Sequence, residues 1–154
     1  MTEQKLETPA SETSDVAVEQ KKKPTTRAPS RNNKPWDLSQ FKVSPEKGKA
    51  RFHDFDLPLE LMRGIQDAGF EYCTPIQAAS LPHTLNGHDI VGKAQTGTGK
   101  TAAFLINMIT DLLNHPVEDQ RFLGEARTLI LAPTRELAIQ IGDEATQLMS
   151  RIHI

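Results

Sequence analysis

Residues 94–101 read Ala-Gln-Thr-Gly-Thr-Gly-Lys-Thr, and these types in this order are those of a phosphate cradle. Gly97 and Gly99 let the backbone turn tightly, so that N–H groups across Ala94, Gln95, Thr96, Gly97, Thr98 and Gly99 can face inward. A helix starting near Lys100 would add the positive end of its dipole. Lys100 has the reach to meet β- and γ-phosphates, and the Thr101 hydroxyl is of the type that ligates Mg²⁺. The chemistry expected is nucleoside triphosphate binding with Mg²⁺, and Lys100 and Thr101 are the candidate catalytic residues. The general pattern begins with glycine five residues before Gly99, where this chain has Ala94, the smallest substitute. A plain glycine turn between a strand and a helix is the bland alternative. The Gly-Lys-Thr ending and both flanks outweigh it.

The flanks follow from hydrophobic spacing. Asp89-Ile90-Val91-Gly92 leads in, with a short strand expected over Ile90–Lys93, and Lys100–Leu113 has helical periodicity. Upstream, Leu59, Leu61, Met62, Ile65 and Ala68 predict a helix over Pro58–Ala68, stopped by Gly69. A second helix is expected from Thr74-Pro75, interrupted at Leu81-Pro82 and ended by Asn86-Gly87. His115–Glu125 reads as a polar loop. Thr128–Ala132 reads as a strand buried on both faces, and Thr134–Met149 as a final helix. Strand, helix, strand, helix with a glycine loop after the first strand predicts a parallel α/β sheet.

Within the 154 residues there is room for one ordinary domain. Residues 1–49 are polar and Pro-rich and are expected to be a disordered tail. The tail is acidic and then basic. Residues 1–19 hold five acids against Lys5, whereas residues 20–51 hold ten bases against Asp37 and Glu46. Such a tether would attract nucleic-acid phosphate without reading sequence, or would serve only as a solvated linker. Cys73 is the single cysteine, so no internal disulfide partner exists, which suits a reducing cytoplasm. No apolar leader and no run long enough for a membrane span is present. The five histidines lack metal-ligand spacing. A triphosphate site of this kind also uses a downstream Asp at a strand end. Asp111 and Asp143 fall instead on expected helices, and two strands are too few for a doubly wound sheet, so the chain reads as the N-terminal portion of a larger protein.

With these residues laid out, three motifs resemble those of the DEAD-box RNA helicases. Gly69-Phe70-Glu71-Tyr72-Cys73-Thr74-Pro75-Ile76-Gln77 is similar to the Q motif, Ala94–Thr101 to motif I, and Pro133-Thr134-Arg135-Glu136-Leu137-Ala138 to motif Ia. The resemblance covers roughly residues 50–154. It implies a Q-motif region over 50–78 and a partial, incomplete RecA-like P-loop domain over 79–154. Details around Asn86–Asp89 and Leu113–Pro116 resemble one bacterial branch, whose members work with the RNA degradosome.

The resemblance implies that Gln77 reads adenine, because a carboxamide matches the adenine edge. It implies that Phe52, 17 residues before Gly69, stacks on the base, with Phe55 as a rival and plain core packing as the alternative. Thr74 would cap its helix and face the phosphate loop. Pro133, Thr134, Arg135 and Glu136 would touch RNA backbone, the bland reading being a strand-to-helix turn. The family's Asp-Glu-Ala-Asp stretch is missing from these residues, as is its second RecA-like domain. The leading expectation is therefore part of an ATP-dependent RNA helicase, inactive alone and acting in RNA degradation. The alternatives are another P-loop enzyme, such as a kinase or nucleotide switch, and a non-enzymatic RNA-binding module. Gln77 and the Pro-Thr-Arg-Glu-Leu-Ala stretch have no role in a kinase or switch.

Overall fold

The computed structural model describes residues 35–117 and 125–152. Among the described residues there are four α-helices. Helix α1 (Leu59–Asp67) buries Leu61, Met62, Gly64 and Ile65. It stops by a Schellman-type reversal, in which the Gly69 N–H donates to the Gln66 carbonyl at 2.9 Å and the Phe70 N–H to that of Ile65 at 3.1 Å. Helix α2 (Pro75–Thr84) has proline at its first position, where no intrahelical N–H is needed. Helix α3 (Lys100–Asn114) buries Ala102, Ala103, Leu105, Ile106, Ile109 and Thr110. Helix α4 (Arg135–Leu148) buries Ile141, Ala145 and Leu148, four and three residues apart.

These stripes converge on one core. Helix α3 packs against α2 on one side and α4 on the other, and α1 closes over α3 and α4. Phe52, Leu61, Ile65, Leu81, Leu105, Ile106 and Ile109 are fully enclosed. The far end of α3 is tied down by Arg127, whose guanidinium donates to the Leu112 carbonyl at 3.2 Å and to the His115 carbonyl.

Three expectations are corrected. Helix α2 runs through Pro82 rather than breaking there. Pro82 sits in the last turn, so its missing N–H forfeits one bond, while Leu85 still bonds to Leu81 at 3.0 Å and the Asn86 amide caps the Pro82 carbonyl at 2.6 Å. Ile90–Lys93 and Thr128–Ala132 lie where the two strands belong but carry no ladder among the described residues. A strand exists only by pairing, and the sole β-bridges among the described residues join Glu46 to Lys49 and Arg51 to Tyr72. The consequence is exposure: Val91 is wholly open, and Leu129 and Leu131 are 79% and 85% exposed. The third correction concerns residues 35–49, which fall in the expected tail yet pack. Phe41 is buried, and Trp36 and Val43 lie against the core. The rest of that tail, and residues 118–124 of the expected polar loop, lie outside the described residues.

The crossing of α1 over α4 is close enough to require glycine. A Cβ on Gly64 would sit 2.0 Å from the Leu148 carbonyl oxygen. Gly64→Ala is expected to destabilise the fold by about 1–3 kcal/mol, as overpacking does. Gly142→Ala on α4, where the added methyl meets nothing within 4 Å, is expected to stabilise it by up to about 1 kcal/mol. Thermal unfolding followed by circular dichroism checks both, and equal shifts would contradict the close crossing.

Candidate phosphate-binding site

The glycine loop joins the open Ile90–Lys93 segment to α3. Gly97 and Gly99 both take left-handed backbone, with φ of 78° and 87°, which a side chain would strain. Gly99 is also the helix cap of α3. A Cβ there would stand 2.6 Å from Gln77 Nε2 and 3.0 Å from Thr74 Oγ1. The loop is therefore pressed against the start of α2, and only a bare glycine allows it.

One side chain makes that junction. Thr74 and Gln77 occupy the capping-box positions of α2. Gln77 Oε1 accepts the Thr74 N–H at 2.9 Å, and Gln77 Nε2 donates to the Gly99 carbonyl at 3.1 Å. The same carbonyl accepts the Ala103 N–H, the first intrahelical bond of α3. Gln77 is buried, so both ends of its amide are used where water cannot replace them. Thr74 Oγ1 is buried without a hydrogen-bond partner among the described residues, and it faces Gly99.

Lys100 is folded back into the loop. Its ammonium donates to the carbonyls of Ala94 at 2.6 Å and Gln95 at 2.5 Å. The Gln95 carbonyl also accepts the Thr98 hydroxyl at 2.8 Å. The cation thus draws the loop's two ends together, and Thr101 follows it, half-buried, in the first turn of α3. Thr96 is exposed at the turn. A cradle with inward N–H groups, a cation and a helix N-terminus suits a phosphate chain.

The structure sets Gln77 and Thr74 against Gly99, and Lys100 against Ala94 and Gln95, all on the one loop. Phe52 is not part of this group. Its ring is fully buried, 6.3 Å from that of Phe70, with no face open to a base. The packing alternative describes it. Phe55, the rival, is half-buried against the same core. Thr134 is the N-cap of α4, accepting the Leu137 N–H at 3.2 Å, while Pro133, Arg135 and Glu136 are exposed around it. What sequence reasoning missed is the bond from Gln77 to Gly99. The Thr-x-x-Gln spacing that signals a capping box was its one visible trace.

Comparisons with known proteins identify the family of the chain. Residues 74–154 match the family model described as DEAD/DEAH box helicase. The chain is 59% identical over 106 residues to the ATP-dependent RNA helicase RhlB of Pseudomonas aeruginosa, covering 69% of this chain and 27% of that one. It is similar in structure to the RNA helicase Prp28 from Chaetomium thermophilum bound to ADP, at TM-score 0.58 and 31% identity, over 76% of this chain and 29% of that one. A DEAD box protein from Methanococcus jannaschii gives TM-score 0.50 and 37% identity, over 64% and 25%. The chain therefore spans about a quarter of the length of the curated relatives it matches. Its fold is the corresponding portion of a RecA-like α/β domain, incomplete in its sheet.

Cys73, beside Thr74, is held as a thiol. Burial, with the Asp54 carboxylate adding to it, pushes its pKa up to about 12 from 9.0. The folded state favours the neutral form, so its contribution to stability is full below pH 9 and is lost as pH rises towards 12. Cys73→Ala is expected to flatten the alkaline fall of urea-denaturation stability across that window. Parallel falls in both proteins would contradict this.

Proposed function

Because this chain belongs to the DEAD/DEAH box helicase family, we propose that it is the nucleotide-loading portion of an ATP-dependent RNA helicase. The observation that carries the reading is the convergence of Gln77, Thr74 and Lys100 on one glycine loop. Relatives named as ATP-dependent RNA helicases support the activity, which would belong to the longer protein.

In this reading ATP enters by exchange. The Lys100 ammonium would exchange the Ala94 and Gln95 carbonyls for phosphate oxygens, because an anionic acceptor makes the stronger bond. The α3 N-terminus and the loop N–H groups hold the phosphate chain. The Thr101 hydroxyl would be the side chain that holds a Mg²⁺, which would supply charge neutralisation of the phosphates, and the Thr74 hydroxyl, unpartnered among the described residues, would be free to bond the nucleotide. Gln77 turns its carboxamide from the loop to the adenine edge. Base stacking on Phe52 requires that its enclosure open. Pro133, Thr134, Arg135 and Glu136 present an exposed turn to RNA backbone. Service in RNA degradation with degradosome components, and a cytoplasmic setting, complete the proposal. The catalytic acid of the family's Asp-Glu-Ala-Asp stretch is missing from these residues, so the chain alone is expected to bind ATP without turning it over.

Titration of the chain with fluorescent ATP and GTP analogues tests this. Lys100→Ala should weaken ATP-analogue binding about tenfold to a hundredfold, the worth of a hydrogen bond to a charged group. Gln77→Ala should lose preference for ATP over GTP, worth about 1–3 kcal/mol for a bidentate base contact. Unchanged binding in the first variant would remove the phosphate reading, and retained preference in the second would remove the adenine reading.

Neutralising Lys21, Lys22, Lys23, Arg27 and Arg31 is expected to weaken RNA binding and reduce the log–log salt slope by roughly 0.7 per lost phosphate contact. An unchanged slope would make this stretch a solvated linker.

A further inference from the structure

The bonds that hold Gln77 on the phosphate loop do not begin at Gln77. Residues 36–50 form a strap whose first part lies against α1. Trp36 Nε1 donates to Gln66 Oε1 at 2.9 Å, and Gln66 Nε2 donates to the Gln40 carbonyl at 2.9 Å, so both ends of that amide grip the strap. The Phe41 carbonyl lies 2.7 Å from His53 Nε2, and Arg51 donates to the Val43 carbonyl at 3.2 Å.

The strap then closes on one residue outside it. The Tyr72 hydroxyl donates to the Ser44 carbonyl at 2.8 Å. The Lys49 ammonium stands 5.0 Å over the Tyr72 ring, within cation–π range. Tyr72 pairs through its backbone with Arg51, and the next N–H, that of Cys73, donates to the Ala50 carbonyl at 2.8 Å. The next N–H after that is Thr74's, which donates to Gln77 Oε1, and Gln77 Nε2 reaches Gly99. Strap, Tyr72, Cys73, Thr74, Gln77 and phosphate loop are thus linked in unbroken succession.

We propose that Tyr72 is a positioning residue for the phosphate loop: clasped by the strap, it holds the Thr74–Gln77 cap at the setting from which Gln77 grips Gly99. Releasing the Tyr72 hydroxyl frees the Cys73–Thr74 backbone to shift, and the Gln77–Gly99 bond lengthens with it. Helix α3 then loses the shared acceptor that fixes its first turn. The inference rests on the Gln77–Gly99 bond. It deepens the nucleotide reading only by making the strap a determinant of affinity.

Hydrogen exchange at single amides tests it in the 154-residue chain without any ligand. Tyr72→Phe keeps the ring and removes the one hydroxyl bond. Exchange of the Ala103 amide, bonded to Gly99, is expected to rise about twofold to tenfold, the worth of one net hydrogen bond. The Met149 amide, bonded to Ala145 at the end of α4, is expected not to change. In a Gln77→Ala background the same substitution should add nothing, because the link is already cut. No rise at Ala103, an equal rise at both amides, or full additivity with Gln77→Ala would each overturn the proposal. Failure of the ATP titrations would leave this outcome untouched, so the two readings fail separately.

Discussion

The buried carboxamide of Gln77 is the constraint on which the site depends. It spans from the first N–H of one helix cap to the carbonyl that caps another. Neither α2 nor α3 can shift along the other without leaving a buried amide group unpaired, and such a group costs about 1–3 kcal/mol. The bare backbone of Gly99 is the other half of the constraint, since any Cβ would occupy the place of the Gln77 amide. The wider packing follows from this junction. Helix α3 lies between α2 and α4, and α1 reaches α4 through the gap left by Gly64.

Charge is handled in the same economical way. The half-buried Lys100 ammonium satisfies itself on two loop carbonyls rather than on a carboxylate. A cation neutralised by an acid would have to be separated from it before taking an anion. A cation resting on dipoles has only to exchange weaker acceptors for stronger ones. The ammonium is thus held at the loop by dipoles alone.

The helices were legible because their information is local. The stripes through α1, α3 and α4 and the Pro75, Gly69 and Gly87 punctuation mark them within a residue or two. The glycine loop was equally legible, as backbone demands of that kind leave glycine in the sequence. Pairing was not. Thr128–Ala132 has the composition of a buried strand, but whether it is one depends on neighbours far along a chain. The strap escaped notice because residues 35–49 are polar on average, and a few well-spaced apolar groups, Trp36, Phe41 and Val43, anchor it. Phe52 shows the reverse difficulty. Its position resembles a base-stacking aromatic, yet an aromatic ring is also what a core accepts most readily, and the core holds it here.

The two bare segments give the molecule a social character that its four tidy helices would not suggest. Leu129 and Leu131 are exposed beside backbone amides and carbonyls with no ladder, and Val91 is likewise exposed in the segment before the glycine loop. An extended, apolar, unpaired edge is a template for any other extended strand. One added strand would therefore answer two needs at once, pairing these backbone groups and covering the leucines beside them.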